Sequence, residues 1–580
     1  MNTPAVVLAV ACTYALASTV TVDASRNRRP ISPDIYGVVF ADDAQLGRMG
    51  VTVRRHGGTQ WSRYNWKTST TNTGGDGFYF RTLFAPLGKA ASSADDFVTR
   101  TQAAGVDVMV ELPTLGFVSE LPQANQDFGC SFRLSKYGPQ MLVDAHAEDC
   151  GNGVARDGGL IVNDPLDASK WINDQWSEDW VTHLVSTFGA AAHGGVRFYN
   201  LSNQPALWHL THRDVHPSKA TYAELKAKLL AHGQAVKDAD PTALTLGPGA
   251  WGWLEYFDSA AGDRAATGVD FIPYYLSQAR RHELDTGQRI LDYLDIQVFP
   301  QSFGVADGDS SPAAHRLRLR STRILWDPTY TVESWERCCH DSVQTIIPRM
   351  KEWIADYYPG TRLSISAYGW GAIDTPNGAL AQADLLGIFG RERVDLALLE
   401  NVPAPGGLGE DAFRIYRNYD ALGKAFGNTS VRTTTDAPGL LDAFGAIDDT
   451  GHATVVLLNK SASVTDTVAL KFQGMGPQGA WRAFEFGRNR RLSPAGAGSL
   501  TGGTLSRRVG PETATLIEFT PTDGVYLAGD DGPQGRGTAG PALAGSLDTP
   551  VTKGCGCGAG PSSGWALAAA VLALTRRRAS

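Results

Sequence analysis

Hydrophobic and polar residues follow two different patterns along this chain. The first pattern extends over most of its length. Between about 35 and 420, apolar runs rich in β-branched residues alternate with segments whose apolar residues recur every three or four positions. Such runs predict buried strands, and such segments predict amphipathic helices. The strand-like runs are 35–40, 51–55, 106–110, 196–201, 244–247, 294–299, 363–366 and 396–399; the helix-like segments are 93–104, 180–188, 222–239, 272–284, 343–357 and 379–389. Eight strand-then-helix units predict an α/β fold, a (β/α)8 TIM barrel over 31–428.

From about 430 to 519 the pattern changes to short runs in which apolar and polar residues alternate, separated by Gly, Asn and Asp. A period of two predicts strands that bury one face, so 429–520 is expected to form a C-terminal β-sandwich domain. The following residues, 521–553, are rich in Gly, Pro and Ala and have too few apolar side chains to build a core. They are predicted to be a linker.

The first residues favour export. An apolar run begins at Ala5 and leads to Ala15-Leu16-Ala17, which has the small-residue pattern of a signal-peptidase site. We therefore predict a signal peptide over 1–17. No Lys or Arg precedes the run, so a mis-assigned start codon or a buried N-terminal strand remains an alternative.

The last residues, 554–580, combine three features in order. Cys555 and Cys557 lie in a Gly-rich turn, 565–574 carries no charge, and three Arg residues follow at 576–578. Ten apolar residues are too few to span a bilayer, which needs about 20. The segment resembles the C-terminal sorting tails of myxobacterial surface proteins. That resemblance implies that the tail is cleaved, that a Cys carries the surface attachment, and that export and sorting machinery are partners; a disordered tail is the alternative. The expected location is the cell surface or the extracellular medium.

Composition narrows the classes of partner. The chain has 580 residues, 43% of them hydrophobic, and a formal net charge of −8, which gives no reason to expect nucleic acid binding. Fourteen Trp is a high number, and Trp stacks on sugar rings as well as packing cores.

Cys130 and Cys150 bracket a polar insertion and are predicted to form a disulfide. The pairing of the adjacent Cys338 and Cys339 is left open.

Two segments that follow the fourth and seventh predicted strands carry a family resemblance. They are Asn203-Gln204-Pro205-Ala206-Leu207-Trp208 and Ala367-Tyr368-Gly369-Trp370-Gly371. They resemble the active-site segments of glycoside hydrolase family 44, endo-β-glucanases and xyloglucanases that have Asn-Glu-Pro-x-Leu-Trp at the acid/base and Glu-Tyr-x-Trp-Gly at the nucleophile. Similar stretches extend the resemblance over about 19–520. It implies that 19–30 adds a strand to the sandwich, that the partner is a β-linked glucan or related polysaccharide, and that no cofactor is needed. A structural divalent cation is possible, without assignable ligands.

Both catalytic glutamates of that pattern are replaced, by Gln204 and Ala367. Retaining hydrolysis needs a carboxylic acid and a carboxylate about 5 Å apart. An amide can donate a hydrogen bond but has no proton to transfer, and a methyl group is no nucleophile. The sequence therefore predicts a pseudoenzyme that keeps weak β-glucan binding. One alternative is an active endo-β-glucanase or xyloglucanase that uses displaced carboxylates, Glu111 and Glu400. The other is a structural or adhesive surface protein.

Binding residues are expected at the carboxyl ends of the barrel strands, where barrel proteins keep their sites. Trp251 and Trp253 lie around a Gly, where exposure is expected and favours stacking on sugar. Trp208 and Trp370 could instead pack the barrel mouth, and Arg55 could orient other side chains. The complete set of expected substrate-binding residues is Arg55, His56, Asn203, Trp208, Trp251, Trp253, Tyr368 and Trp370.

Overall fold

The computed structural model describes residues 17–75, 79–84, 93–121 and 128–525, which form two units. One unit contains 32–373 and 388–406; the other contains 17–31, 374–387 and 407–525. Nearly all of the predicted signal peptide, most of the predicted linker, and the tail with Cys555 and Cys557 lie outside the described residues. Within the described ranges, no helix is long and apolar enough to cross a membrane.

In chain order the strands are β1 (Thr19–Asp23), β2 (Arg29–Pro30), β3 (Gly37–Val38), β4 (Val53–His56), β5 (Thr70–Asn72), β6 (Arg81–Phe84), β7 (Asp107–Glu111), β8 (Phe117–Ser119), β9 (Gly129–Cys130), β10 (Val143–Asp144), β11 (Ala147–Gly151), β12 (Ser169–Trp171), β13 (Phe198–Asn200), β14 (Leu244–Trp251), β15 (Tyr293–Val298), β16 (Arg362–Tyr368), β17 (Leu396–Leu399), β18 (Thr429–Thr435), β19 (Leu441–Ile447), β20 (Ala453–Asn459), β21 (Asp466–Gln473), β22 (Gly479–Gly487), β23 (Arg490–Leu500), β24 (Thr504–Val509) and β25 (Thr513–Pro521).

The α-helices are α1 (Asp43–Met49), α2 (Ser93–Ala103), α3 (Leu134–Tyr137), α4 (Asp174–Phe188), α5 (Trp208–Thr211), α6 (Tyr222–Ala239), α7 (Gly252–Phe257), α8 (Arg264–Thr267), α9 (Phe271–Thr286), α10 (Pro312–Ser321), α11 (Ile346–Tyr357), α12 (Pro376–Arg391) and α13 (Leu408–Arg417). Short 3-10 turns occur at Pro33–Tyr36, Trp61–Arg63, Pro165–Asp167, Ala191–His193, Pro205–Leu207, Thr322–Leu325 and Trp335–Cys338.

The first unit is a closed barrel of eight parallel strands, in the order β3, β4, β7, β13, β14, β15, β16 and β17. Each strand corresponds to one of the eight apolar runs, so the predicted (β/α)8 barrel is confirmed. Its strands are buried on both faces, which is why they have continuous apolar sequence rather than strict alternation. Side chains such as Val53, Phe198 and Leu246 fill the barrel interior as one cluster.

Two of the helices around the barrel begin where their sequences provide side-chain caps. Asp42 and Gln45 form a reciprocal capping box at the start of α1, and the Thr221 hydroxyl accepts the Glu224 N–H at the start of α6. These bonds satisfy N–H groups that have no partner inside a helix. The starts of both helices are thus fixed by local sequence.

An insertion between β7 and α4 carries small sheets, β5–β6–β9, β8–β12 and β10–β11, formed with the segment after β4. Cys130 and Cys150 form a disulfide here, with Cα atoms 5.7 Å apart. Cys338 and Cys339, left open by the sequence, are disulfide-bonded as well.

The second unit is built on a ten-stranded, mostly antiparallel sheet in the order β23-β22-β25-β20-β19-β18-β1-β21-β24, with β2 beside β18. Strands distant in this order, such as β24 and β25, contribute to one buried cluster, so the sheet folds over a single core. The predicted C-terminal β-sandwich is therefore confirmed. Strand β1 pairs with β18 and β21, which brings the N-terminal segment into this sheet.

Candidate functional site

The segment after β13 is held in a fixed conformation at the carboxyl end of the barrel. Gln204 adopts a left-handed backbone, with φ 50°, and its N–H donates to the Gly249 carbonyl on β14 at 3.0 Å. Pro205 has no N–H, and the next one along the chain, that of Ala206, donates to Glu255 Oε1 at 3.0 Å. A left-handed conformation is unfavourable for a non-Gly residue, so these bonds impose it.

The side chains at this end of the barrel form one continuous hydrogen-bond network. Gln204 Nε2 donates to Gln297 Oε1, and Gln297 Nε2 donates to Asn203 Oδ1, both at 2.8 Å. Arg55 Nη2 donates to Asn203 Oδ1 at 3.0 Å and to Glu111 Oε2 at 2.8 Å. We call Arg55, Glu111, Asn203, Gln204 and Gln297 the mouth network. All five are buried, and Gln204 Oε1 has no hydrogen-bond partner among the described residues.

Ala367 lies directly beside this network. In the pairing of β15 with β16, its partner is Gln297, the residue that accepts the Gln204 amide. Ala367 is 3% exposed, so its methyl group occupies a packed position. The two positions that the sequence identified as degenerate therefore meet around one side chain, Gln297.

Glu111 is the carboxylate of the mouth network, and both of its oxygens accept hydrogen bonds. Oε2 accepts from Arg55 and, at 2.6 Å, from the Gly58 N–H, while Oε1 accepts from the Ser62 hydroxyl at 2.7 Å. Burial raises its pKa, and the Arg55 charge and the hydrogen bonds oppose that rise. Fully buried and ion-paired, Glu111 holds the ends of β4 and β7 together.

Glu400, the other predicted displaced acid, follows β17 and is mostly buried. Its N–H donates to the Tyr368 carbonyl at 3.0 Å, which joins the ends of the seventh and eighth barrel strands. Tyr368 itself is fully buried, and its ring meets Phe389 edge-on at 5.0 Å.

The expected exposure of Trp251 and Trp253 is wrong, since each is 2% exposed. Strand β14 extends through Trp251, and α7 begins at the next residue, so neither side chain lies in an open loop. Trp251 packs against Leu207 and Phe299. Trp253 donates its indole N–H to the Cys339 carbonyl at 2.9 Å.

Trp208 and Trp370 are buried too, and each has a structural hydrogen bond. The Trp208 indole donates to the Asn203 carbonyl and the Trp370 indole donates to the Ser321 hydroxyl, both at 3.0 Å. The Trp370 carbonyl accepts from the buried Arg318 guanidinium at 3.0 Å. These contacts favour the packing alternative for both residues.

Two exposed aromatic residues at the carboxyl ends of strands were not predicted as binding residues. Phe40, just after β3, is 47% exposed, and Phe303, in the loop after β15, is 88% exposed. Exposed ring faces are what stacking on a sugar requires. The sequence signal was available, an aromatic residue at or shortly after the end of a strand-like run, but periodicity cannot distinguish an exposed ring from a buried one.

Two buried acids near the mouth were also missed. Asp295 accepts from the Ser364 and Ser366 hydroxyls at 2.7 Å, and burial raises its pKa. Glu255 on α7 accepts the N–H groups of Ala206 and Trp251 through separate oxygens, and burial raises its pKa to about 8. Glu255 thereby fixes the loop that carries Gln204. The periodicity of the sequence could not have identified Glu255, because its described partners are backbone N–H groups, which every residue except proline has.

His56 does not face the barrel interior. Its ring, 4% exposed, lies 4.2 Å from Trp61 and 5.0 Å from Tyr64, measured between centroids. Burial lowers its pKa to about 3, and neither ring nitrogen has a hydrogen-bond partner among the described residues. In the part of the chain that the structure describes, no three His, Cys, Asp or Glu side chains are grouped to hold a metal ion.

Comparison with known proteins gives matches over most of the chain. The model of Glycoside hydrolase family 44 matches residues 70–302. The structure of CelM2, a bifunctional glucanase-xylanase protein from a metagenome library, is 36% identical with a TM-score of 0.84, and the match covers 88% of this chain and 100% of that one. A family 44 xyloglucanase from Paenibacillus polymyxa is 26% identical with a TM-score of 0.76, covering 87% and 100%.

A curated relative, Endoglucanase A from Paenibacillus lautus, is 29% identical over 479 residues. That alignment covers 79% of this chain and 65% of the relative, so this chain spans less than two thirds of the relative's length.

Proposed function

The chain belongs to glycoside hydrolase family 44, and from that premise we propose that it binds a β-linked glucan at the mouth of its barrel without hydrolysing it. The observation that carries the proposal is the pair Gln204 and Ala367. They lie beyond the fourth strand and on the seventh, and both adjoin Gln297. At these two positions a retaining glycosidase needs an acid and a nucleophilic carboxylate about 5 Å apart.

Three carboxylates around the mouth support inactivity, because each of them has a structural task. Glu111 is ion-paired with Arg55, Asp295 accepts from two serine hydroxyls, and Glu255 accepts two backbone N–H groups. All three are fully buried. A general acid must reach the glycosidic oxygen, and a nucleophile must reach the anomeric carbon from the opposite side. An acid held inside the barrel wall does neither.

The ligand class is supported by the relatives and by the surface at the strand ends. The similar solved structures are described as a glucanase-xylanase and a xyloglucanase. Phe40 and Phe303 present exposed rings after the first and sixth barrel strands. Such a surface binds neutral sugar weakly, with dissociation constants on the order of 0.1–1 mM.

Export to the cell surface is part of the proposal. The sequence of 1–17 and the tail at 554–580 support it. The Cys130–Cys150 disulfide supports it independently, because disulfides persist in oxidising compartments and are rare in the cytosol.

The test is a reducing-sugar assay of the wild-type protein on carboxymethyl cellulose, xyloglucan and lichenan, with calorimetric titration of cello-oligosaccharide in parallel. We expect hydrolysis at background and measurable binding. Turnover well above background that disappears in Glu400→Gln would establish the displaced-acid alternative. Absence of binding to every glucan would instead favour a structural or adhesive surface protein.

A further inference from the structure

The insertion between β7 and α4 contains a small layer of three antiparallel segments within residues 140–162. The Met141 N–H donates to the Val154 carbonyl at 2.8 Å, and Val154 pairs with Leu160 in the next segment. These three side chains therefore form a row across the layer. Val162 lies on the same face, because residues two apart in an extended segment point the same way. We call Met141, Val154, Leu160 and Val162 the apolar face.

The apolar face is open to solvent in a single copy of the chain. Val162 is 91% exposed, Leu160 is 69% exposed and Met141 is 57% exposed. Further exposed apolar residues of the same insertion are Leu142, Val143 and Leu166. Apolar side chains that are exposed singly are ordinary in soluble proteins, whereas a contiguous group of them marks a surface that contacts another molecule.

Contacts on the opposite side hold this layer in place. Gly153 in the middle segment is buried, and a Cβ atom there would lie 2.5 Å from Arg213 Nη2 and 2.8 Å from the Phe132 ring, so the segment packs closely on these two side chains. The Cys130–Cys150 disulfide also ties the middle segment to β9. A surface that is ordered before it binds loses little conformational entropy on association.

Two charges beside the apolar face are available to a partner. Arg156 and Asp157 are exposed in the turn between the second and third segments, and neither has an ion-pair partner among the described residues. The other charged pairs around the layer are already formed within one copy: Arg133 with Asp149 and Lys136 with Asp167. A two-fold axis beside the turn would place Arg156 of one copy against Asp157 of the other, and the reverse, so this turn is complementary to itself.

A second copy of this chain matches these features better than another class of partner. It offers the same aliphatic side chains to the apolar face and the opposite charge to both Arg156 and Asp157. A partner of one charge sign would place a like charge against one of the two. A sugar is a poorer match, because aliphatic side chains lack the aromatic ring faces on which sugars stack.

The size of the surface sets the strength of the association. A Val, Leu or Met side chain buries roughly 60–120 Å² when it is fully covered. The apolar face and its exposed neighbours therefore bury a few hundred Å² per copy, which is less than the roughly 800 Å² per partner of a stable complex. The expected dissociation constant is on the order of 10–100 µM.

We propose that a second copy of this chain binds the apolar face in a two-fold arrangement, so that the protein forms a weak, concentration-dependent dimer. None of the four residues of the face belongs to the mouth network. The inference therefore does not rest on the proposed glucan binding.

Sedimentation velocity of the full chain, at concentrations that bracket the expected dissociation constant, measures the dimer. Leu160→Asp places a carboxylate in the apolar face of both copies and should weaken dimerisation by at least about tenfold, because the charge would lose water without gaining a partner. The matched control is Leu284→Asp on α9, where the leucine is 74% exposed. This control should leave dimerisation unchanged.

Charge reversal at the turn tests the two-fold arrangement. Arg156→Asp leaves two acidic side chains at the turn, and Asp157→Arg leaves two basic ones. Each single variant should weaken the dimer about fivefold, the effect of losing two exposed ion pairs. The double variant, Arg156→Asp with Asp157→Arg, again carries one charge of each sign in both copies and should recover most of the wild-type affinity. A partner of different sequence would not produce this recovery.

A wild type that remains monomeric over the whole concentration range would overturn the proposal, and so would a dimer that Leu160→Asp leaves intact. A double variant as weak as Arg156→Asp would refute the two-fold contact. Calorimetric titration of cello-oligosaccharide identifies a different occupant: a monomeric wild type whose glucan affinity falls in Leu160→Asp but not in Leu284→Asp would show that the face binds polysaccharide and that the dimer is wrong.

Discussion

At the residue scale, the mouth of this barrel combines the geometry of a glycosidase site with amide chemistry. Gln204 is held in a left-handed conformation, and its side chain bonds Gln297 beside Ala367. An amide contributes hydrogen bonds but no transferable proton. Arg55 and Asn203 bond each other in the same network. On the proposed function, the site is organised but lacks the reacting groups.

That organisation predicts partial recovery by two substitutions. Gln204→Glu combined with Ala367→Glu should give detectable hydrolysis of soluble glucan, whereas each single variant should remain at background, because the two carboxylates act as a unit. Turnover will stay low, because Gln204→Glu removes the amide that donates to Gln297 Oε1 and Glu111 keeps its ion pair with Arg55. The measurement is reducing-sugar release. The double variant Gln204→Asp with Ala367→Ser serves as control, because Asp carries its acid on a shorter side chain and Ser supplies no carboxylate nucleophile. Equal activity in both double variants would contradict the assignment of these positions.

At the element scale, α7 fixes the segment after β13, which carries Asn203 and Gln204 of the mouth network. Its Glu255 accepts the N–H of Ala206, after β13, and that of Trp251, at the end of β14. Two neighbouring strand ends are thus tied by one buried carboxyl group. The arrangement is electrostatically costly when the group is ionised, because burial raises the Glu255 pKa from 4.5 to about 8.

This raised pKa predicts a pH dependence of stability. Between about 4.5 and about 8 the folded protein keeps the Glu255 proton while the unfolded chain loses it, so the free energy of unfolding falls as pH rises through this window. Glu255→Gln cannot titrate. The wild type should therefore lose stability relative to this variant as pH rises from 5 to 8, by up to a few kcal/mol at about 1.4 kcal/mol per pKa unit.

The measurement is the urea midpoint of both proteins across that range. Comparison with the variant cancels the titration of all other groups. Because the Gln amide cannot accept the second N–H, the variant should be the less stable protein at pH 5. A constant difference between the two proteins at every pH would show that Glu255 is ionised in the folded state.

At the scale of the whole molecule, the described residues form a barrel unit and a sheet unit, and the sequence at both ends predicts export. The net charge of −8 and the Cys130–Cys150 disulfide are compatible with an extracytoplasmic protein. The predicted boundaries of the signal peptide, linker and tail stay predictions.

Export predicts a mature chain shorter than the sequence. Surface-associated protein should lack 1–17 and should end before the apolar stretch at 565–574, which is too short to span a bilayer. Mass spectrometry of protein released from cells measures both ends. Cys555→Ser with Cys557→Ser should shift the protein to the medium, while Cys338→Ser with Cys339→Ser controls for general loss of a disulfide. Surface material that is intact through Ser580 would refute processing.

Periodicity by itself determined the architecture. A period near 3.6 and continuous apolar runs specify helices around a buried parallel sheet, and a period of two specifies strands with one buried face. The eight runs became the eight barrel strands, and the alternating segment became the second sheet. The family resemblance singled out Gln204 and Ala367, and periodicity added that both lie at strand ends, which converge at one face of a barrel.

Only the tertiary structure decided what each side chain at those ends contacts. Strand β4 is buried on both faces, so its sequence does not distinguish one face from the other. The fold places Arg55 in the mouth network and His56 against Trp61 and Tyr64. Trp251 became buried because β14 continues further than its apolar run. The partners of Glu111 and Glu255 come from segments distant in sequence. Periodicity reports which residues avoid water, whereas the pairing of buried polar groups depends on contacts that only the folded chain creates.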